Sequence, residues 1–399
     1  MNTLHLSYAL VGVVGVLLAF WSSAIRRVPV SEPLLALLVG VLAGPVLGMI
    51  DLSHHQASVL TLEASRVLLA ISLMAVALRF PLTAYRSVIR PVSVLLAVAM
   101  AGMAVVSAGL AWVVLGLPVA LAVLLGACLT PTDPVLASSV VSGGPAERQL
   151  PGRLRQVISG ESGANDGLAF VFVVLALSAV TSGSFGGHVR EAVWGVLGAV
   201  VVGVAVGFAA GRAVMAAEAR EDVDEGSLLI FTVVLAVAAL GVARVAHTDA
   251  ILAVFVAGLA YNAIIGEESR ASEQRLDDAL TRYLVLPLFF LLGVEVPWQD
   301  WLDLGWPLAA FGAAVLVLRR LPVVLALKPA LRMSWRSAVF LGWFGPIGVS
   351  ALFYLTHSQE EGARDPRLWA AGSLVVVAST VAHGITATPG RRWYARRSS

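Results

Sequence analysis

Three carboxylates lie within strongly apolar stretches of this 399-residue sequence, namely Asp133, Glu161 and Asp166. An ionisable group at membrane depth costs roughly 2.5–3.5 kcal/mol even on insertion scales, so such a residue is by default a candidate functional site. The remaining acidic residues map to predicted loops or to the ends of apolar segments, where a carboxylate reaches water. The three acids therefore predict a site that binds protons or cations.

The surroundings of Asp166 favour a small hard cation as its ligand. Ser162 and Asp166 are four residues apart, so a helix places both on one face. A hydroxyl and a carboxylate together offer the oxygen ligands that hard cations prefer. Asn165 and Glu161 have the same spacing and form a second column on an adjacent face.

Asp133 lies in a segment where a regular helix cannot continue. Its sequence, Thr-Pro-Thr-Asp-Pro over 130–134, has Pro131 and Pro134 three residues apart, and each removes an amide donor. Broken backbone at membrane depth is tolerated where it lines a cavity or is buried in protein, and free carbonyls at such breaks coordinate ions in transporters. A simple proline kink would explain the prolines but not the acid between them. The Thr132 carbonyl and Asp133 are therefore further candidate ligands.

The elements that must position these residues are transmembrane helices. Of all residues, 58% are hydrophobic and 13% are charged, against about a quarter charged in soluble domains. Segments of roughly 20 apolar residues, long enough to cross a bilayer, recur along the whole chain. We predict an all-α polytopic membrane protein with thirteen such segments, at about 5–24, 32–50, 60–78, 91–115, 118–142, 156–181, 190–213, 226–246, 249–266, 279–296, 306–328, 335–357 and 367–388.

The distribution of basic residues predicts the topology. Twenty of the 27 lysines and arginines fall in the odd-numbered loops and the C-terminal tail; five, including Arg66, fall on the opposite side, and Arg319 and Arg320 fall within segment eleven. Cytoplasmic loops carry the excess of positive charge. The N-terminus is therefore predicted outside the cell membrane, and a short basic tail, 389–399, in the cytoplasm. Arg26 and Arg27 follow segment one, an order that indicates a first transmembrane helix instead of a cleaved signal peptide.

A second interruption, Gly-Trp-Phe-Gly-Pro-Ile-Gly over 342–348, lies in segment twelve and includes Gly345 and Pro346. It follows the first break by seven segments, so the two broken helices cross the membrane in opposite directions. Paired interruptions in corresponding halves of a chain are a pointer to a transport site. We predict a single transporter domain over 1–399, with inverted repeats at about 5–181 and 226–388 joined by a linker helix at about 190–213.

These motifs resemble the monovalent cation:proton antiporter family, in particular its electroneutral sodium/proton exchanger branch of bacterial and archaeal type. The resemblance is carried by Thr-Pro-Thr-Asp-Pro at 130–134, Gly-Glu-Ser-Gly-Ala-Asn-Asp at 160–166 and Gly-Trp-Phe-Gly-Pro-Ile-Gly at 342–348. It covers essentially the whole chain in helix number and order. It implies a homodimer in which discontinuous helices five and twelve cross within a six-helix core.

The resemblance also implies residue roles. Asp166 is the expected carrier of both cation and proton, with Ser162, Thr132 and Asp133 completing a sodium site. Glu161 is expected to pair with Arg319, aligned through the Leu321 that follows; Arg320 is the alternative. One position departs from the family: Ile347 stands where relatives usually carry an arginine that neutralises the second half-helix end, which leaves the local charge balance unexplained.

Charge accounting suggests the mechanism. A Glu161–arginine pair is neutral, so Asp166 is the carboxylate whose charge a ligand must balance. Burial favours its protonated form, and competition of a proton with a cation then couples two opposite fluxes. Because Asn165, not a second carboxylate, precedes Asp166, we expect one proton per sodium or lithium ion.

Other functions remain open at this stage. A potassium/proton antiporter of the same fold is the first alternative, and a cation channel is a weaker one. An intramembrane protease could use Ser159 or Ser162, but His357 and His383 fall near predicted helix ends, so we predict no enzyme. The net charge of +2 gives no sign of a nucleic-acid partner, the single Cys128 excludes an intramolecular disulfide, and no cofactor is expected.

Overall fold

A computed structural model describes residues 32–50, 54–181, 184–220, 225–266 and 283–396, together with Gly12. Throughout these ranges the regular structure is helical. The longer helices of the first half are α1 (Glu32–Val41, continued by a π-helical turn over Leu42–Val46), α2 (His54–Leu78), α3 (Ile89–Leu115), α4 (Val119–Cys128), α5 (Pro134–Val141), α6 (Gly152–Leu177) and α7 (Phe185–Glu218). Short helices cover Leu82–Ser87 and Gly143–Gln149.

The second half again consists of apolar helices, one of which is interrupted and forms two half-helices. Its helices are α8 (Glu225–Val245), α9 (Ala250–Asn262), α10 (Tyr283–Val294), α11 (Trp298–Leu318), α12 (Leu321–Leu331), α13 (Trp335–Trp343), α14 (Val349–Glu360) and α15 (Pro366–Ala395). Each predicted segment from two to thirteen coincides with one or two of these helices, and segment one, apart from Gly12, lies outside the described residues. Six described helical stretches are long and apolar enough to cross a membrane.

Two predicted segments consist of half-helices, as their prolines require. In the first, α4 ends at Cys128 and α5 begins at Pro134, which occupies the first helical position, where a missing N–H costs nothing. In the second, α13 ends at Trp343 and α14 begins at Val349. The two breaks contact each other, because the Asp133 N–H donates to the Pro346 carbonyl over 2.8 Å. Four half-helix ends therefore meet at one place in the core.

The close approach of the two breaks depends on Gly348. A β-carbon at this position would lie 2.3 Å from a carboxylate oxygen of Asp133 and 2.8 Å from a methyl of Leu136. Any larger residue would push α5 away from the start of α14. The long helix α6 packs against α4, α5, α9 and α14, which places its polar centre beside the crossing.

Two charged residues lie deeper than the sequence analysis predicted. Arg66, counted among the basic residues of the outside although predicted segment three spans it, lies within α2; its side chain is 9% exposed and forms an ion pair with Glu63. Asp249, assigned to a loop, is buried and caps α9 by accepting the Leu252 N–H. Both are corrections of depth, and they change neither the two broken helices nor the site between them.

Candidate cation and proton site

Asp133 caps two helices at once. One of its carboxylate oxygens accepts the N–H groups of Val135 and Leu136 at 2.7 and 3.0 Å, and the other accepts the N–H of Val349 at the start of α14. The positive ends of two helix dipoles thus face one negative charge, which is the favourable arrangement. Since both oxygens of this fully buried side chain have partners, Asp133 holds the crossing together.

Arg319 places a positive charge at the other two half-helix ends, which are C-termini. Its guanidinium donates to the carbonyls of Leu129, Thr130 and Pro131 after α4, and to the carbonyl of Gly345 after α13 at 2.7 Å. Carbonyl groups at helix C-termini carry partial negative charge, and a buried cation stabilises them. Arg319 therefore supplies the positive charge that the sequence analysis found missing at Ile347, which is itself a buried apolar residue.

The ion pair of Glu161 is formed by Arg320, so the expectation of Arg319 was wrong and its stated alternative is correct. The two terminal nitrogens of the Arg320 guanidinium each donate a hydrogen bond to a different oxygen of the Glu161 carboxylate, at 2.6 and 2.8 Å, and its Nε donates to the Leu341 carbonyl. The reason is that the two arginines lie in the short break between α11 and α12, where Arg319 is already committed to the half-helix carbonyls. Glu161 and Arg320 are 0% and 2% exposed, so this is a fully buried, bidentate pair.

Asn165 connects α6 to the first break. Its amide nitrogen donates to the Thr132 hydroxyl at 2.7 Å and to Glu161 at 3.2 Å, and its amide oxygen accepts the Thr132 N–H at 3.3 Å. These two hydrogen bonds between Asn165 and Thr132 fix the position of the first break along α6. It also explains why an amide suits this position, since a carboxylate here would lack donors for Thr132 and repel Glu161.

Asp166 is the exception in this network. Both of its carboxylate oxygens are buried, and neither has a hydrogen-bond partner of normal geometry among the described residues. Its backbone carbonyl accepts from the hydroxyl of Tyr354 on α14, which ties this turn of α6 to the second broken helix. Buried polar atoms are almost always paired, so this orphan pair of carboxylate oxygens makes Asp166 the candidate for binding a ligand.

Ser162 lies one turn from Asp166 on the same helix, as its spacing predicts, but its hydroxyl donates to the Ile158 carbonyl at 2.9 Å. The Ser162 hydroxyl forms no hydrogen bond of normal geometry with the Asp166 carboxylate. His383 lies within α15 and not near a helix end, with its ring nitrogens against Ser379 and the Trp343 carbonyl. The described residues therefore place no histidine base beside Ser162.

Two residues beside Asp166 escaped the sequence analysis. Tyr354 and Ser350 both belong to α14, and Ser350 is fully buried next to the Asp166 carboxylate. Their place in the sequence is the one available signal. They lie in the first two helical turns after the second break, and the first break, which contacts the second, packs beside α6.

We predict that Arg319→Ala destabilises the fold, because it leaves carbonyls at two half-helix ends without a donor, at roughly 1–3 kcal/mol for each. Arg319→Lys keeps the charge but not the fork of donors, so its loss should be smaller. Thermal unfolding of the purified protein measures both, with the exposed Arg396→Ala as the control. An Arg319→Ala midpoint equal to that of Arg396→Ala would contradict this account.

Crossed half-helices beside a buried, unpaired carboxylate are the arrangement that many secondary transporters use at their binding sites. The family model for the transmembrane sodium/hydrogen exchanger matches residues 13–393. The chain therefore belongs to this family, and it is a multi-pass membrane protein of a transporter family, not an enzyme.

Individual relatives agree with this assignment. The chain is 33% identical over 374 residues to the Na+/H+ antiporter 2 of Zygosaccharomyces rouxii, covering 90% of this chain and 46% of that protein. It is 31% identical over 366 residues to the Na+/H+ antiporter of Saccharomyces cerevisiae, covering 88% and 37%. The chain thus spans less than half the length of these two relatives.

The fold is also similar to a solved structure, the sodium proton antiporter MjNhaP1 from Methanocaldococcus jannaschii at pH 8. The TM-score is 0.80, the alignment covers 99% of each chain, and the sequence identity is 17%. This likeness confirms the prediction of an all-helical membrane fold and shows that the fold is of the MjNhaP1 type.

Proposed function

We propose that this chain exchanges sodium or lithium ions for protons across a membrane, by competition of the two at Asp166. Membership of the sodium/hydrogen exchanger family and the names of the two yeast relatives support sodium as the cation. The observation that carries the proposal is the Asp166 carboxylate, the only one whose two oxygens are both buried and unpaired among the described residues.

The charges around Asp166 support this role. Glu161 and Arg320 neutralise each other, Asp133 faces two positive helix ends, and Arg319 faces two negative ones. Asp166 is left with no opposite charge, and a bare carboxylate in a dry site is strongly disfavoured. It therefore binds either a proton or a cation at all times, and only a loaded site changes the side of the membrane it faces.

For the remaining candidate ligands, we propose two kinds of role. The Thr132 carbonyl and the Ser162 hydroxyl contribute oxygens to the sodium ion, the latter after rotating away from the Ile158 carbonyl. Asp133 and Asn165 already have partners for their polar atoms, and we assign them to holding the broken helix at the correct distance from α6.

We expect purified protein in proteoliposomes to exchange one sodium ion for one proton. Since Asn165 is neutral, Asp166 is the single carrier, and a one-for-one cycle moves no net charge. A pH gradient should drive uptake of labelled sodium, and a membrane potential clamped with potassium and valinomycin should leave the initial rate unchanged. A rate that changed several-fold with the imposed potential would refute electroneutral exchange. Saturable exchange of potassium but not of sodium would instead favour the potassium/proton alternative.

We further propose thirteen transmembrane helices arranged as inverted repeats, an outside N-terminus, a cytoplasmic tail and a homodimer in the cell membrane. The bias of basic residues supports the orientation, and the likeness to MjNhaP1 over 99% of the chain supports the helix arrangement. With Cys128 replaced by serine, a single cysteine introduced at Ser398 should be labelled from the cytoplasmic side only. Labelling from the outside would contradict the proposed orientation.

The homodimer is tested by chemical cross-linking in native membranes, which should give a species of twice the monomer mass. Detection of monomers only would contradict the dimer.

A further inference from the structure

Ser350 occupies an unusual place at the start of the second broken helix. It is the second residue of α14 and is fully buried, and its hydroxyl has no hydrogen-bond partner of normal geometry among the described residues. The hydroxyl lies beside the carboxylate of Asp166, whose two oxygens are also unpaired. The Ser350 hydroxyl is thus within reach of the Asp166 carboxylate, although no hydrogen bond of normal geometry joins them, and no other described group binds these three oxygens.

The unpaired state of this hydroxyl has a specific cause. Several buried serines and threonines in these helices donate to a carbonyl one turn back, as Ser162 donates to Ile158 and Ser373 donates to Trp369, whereas Ser65 and Ser107 share with Ser350 the lack of a partner. Ser350 has no preceding helical turn, because α14 begins at Val349. The carbonyl four residues back, that of Pro346, lies in the break and already accepts the Asp133 N–H.

The electrostatic setting suits a cation in spite of the helix end. The N-terminus of a helix carries partial positive charge and by itself repels cations. At α14 this end is covered by the Asp133 carboxylate, which accepts the Val349 N–H. The negative charge of Asp133 offsets the dipole one residue before Ser350, so a neutral hydroxyl oxygen is presented to the Asp166 site without a repelling end behind it.

We propose that Ser350 is a direct ligand of the transported cation, and that its hydroxyl helps the site select sodium and lithium. This inference rests on the proposed exchange at Asp166. Buried polar atoms without partners are rare in proteins, and a cation bound between the Ser350 hydroxyl and the Asp166 carboxylate gives all three oxygens a common partner. A small hard cation fits, because hydroxyl and carboxylate oxygens are its preferred donors. The second broken helix then contributes an ion ligand in addition to its caps.

Ser350→Ala is expected to raise the KM for sodium and lithium about tenfold at unchanged maximal rate, the loss expected for one bond to a charged group. Ser350→Cys keeps the volume but replaces the hard oxygen with a soft sulfur, so its KM should rise similarly. Ser373→Ala is the matched control, since that buried hydroxyl bonds only within α15. The measurement is initial exchange rate against sodium concentration in proteoliposomes.

A second readout keeps the test decisive if a variant does not transport. Sodium should raise the thermal unfolding temperature of the purified wild-type protein, and Ser350→Ala should need about tenfold more sodium for half of that effect. Unchanged sodium dependence in Ser350→Ala and Ser350→Cys would overturn the assignment of Ser350, as would a loss of maximal rate at constant KM. Absence of exchange in the wild type would instead refute the proposed function.

Discussion

Asp166→Asn is expected to abolish exchange while leaving the protein folded. Among the described residues, the change removes the one buried carboxylate that binds neither a partner nor a helix end, so neither proton nor cation can be carried. The side chain has no hydrogen bond of normal geometry to lose, and a neutral amide costs less to bury than an unpaired charge. The unfolding temperature in the absence of sodium should therefore be equal to or higher than that of the wild type.

The control for this prediction is Asp300→Asn, an exposed acid in the first turn of α11. It should exchange sodium at the wild-type rate in the same proteoliposomes. Exchange preserved in Asp166→Asn would remove Asp166 from the mechanism. A variant that failed to fold would contradict the view that this carboxylate contributes nothing to the stability of the empty site.

The second large effect concerns the buried pair of Glu161 and Arg320. Removing either partner leaves an uncompensated buried charge, which costs about 3–5 kcal/mol in comparable cases. We expect Arg320→Ala and Glu161→Ala each to lower the folded yield and the unfolding temperature sharply. The double variant leaves no lone charge, so it should be more stable than the sum of the two single losses predicts.

Thermal unfolding of the three variants in detergent provides this comparison, with the exposed Arg86→Ala as the control. Strict additivity of the two single changes would show that the pair does not act as a unit. A further check is transport in whichever variant folds: because the pair does not touch Asp166, residual exchange should retain its one-for-one stoichiometry.

Much of the architecture follows from the sequence because hydropathy and prolines act locally. Apolar stretches of about 20 residues predicted segments two to thirteen, and Pro131, Pro134 and Pro346 marked the two breaks to within a few residues. Boundaries were less certain where a helix extends past its apolar part. Segment three, predicted at about 60–78, corresponds to a helix that begins at His54, so Arg66, counted with the outside residues, lies well inside α2.

The site itself could be predicted only in part. Spacing places Ser162 and Asp166 on one face, but spacing does not decide the rotamer, and the Ser162 hydroxyl turns back to its own helix. Arg319 and Arg320 are adjacent in a short break between α11 and α12, where helical periodicity no longer tells which direction each side chain takes. Their partners depend on helices far away in the sequence, so the structure was needed to separate them.

The departure at Ile347 has a similar explanation. A missing arginine in one motif suggests a weakened site as long as each half-helix end is considered alone. Arg319 reaches the carbonyls after both α4 and α13, so one cation serves two ends. Such sharing requires the two breaks to touch, a property of the fold that no local pattern contains.

The central claim is that a proton and a cation compete for Asp166. The most direct measurement follows fluorescence dequenching in inverted vesicles from cells without other antiporters, with sodium, lithium and potassium titrated separately at several pH values. The account predicts a saturable response to sodium and lithium whose half-maximal concentration rises as the pH falls, at constant maximal response, and none with Asp166→Asn. No response to any of the three cations, or a half-maximal sodium concentration that is independent of pH, would contradict it.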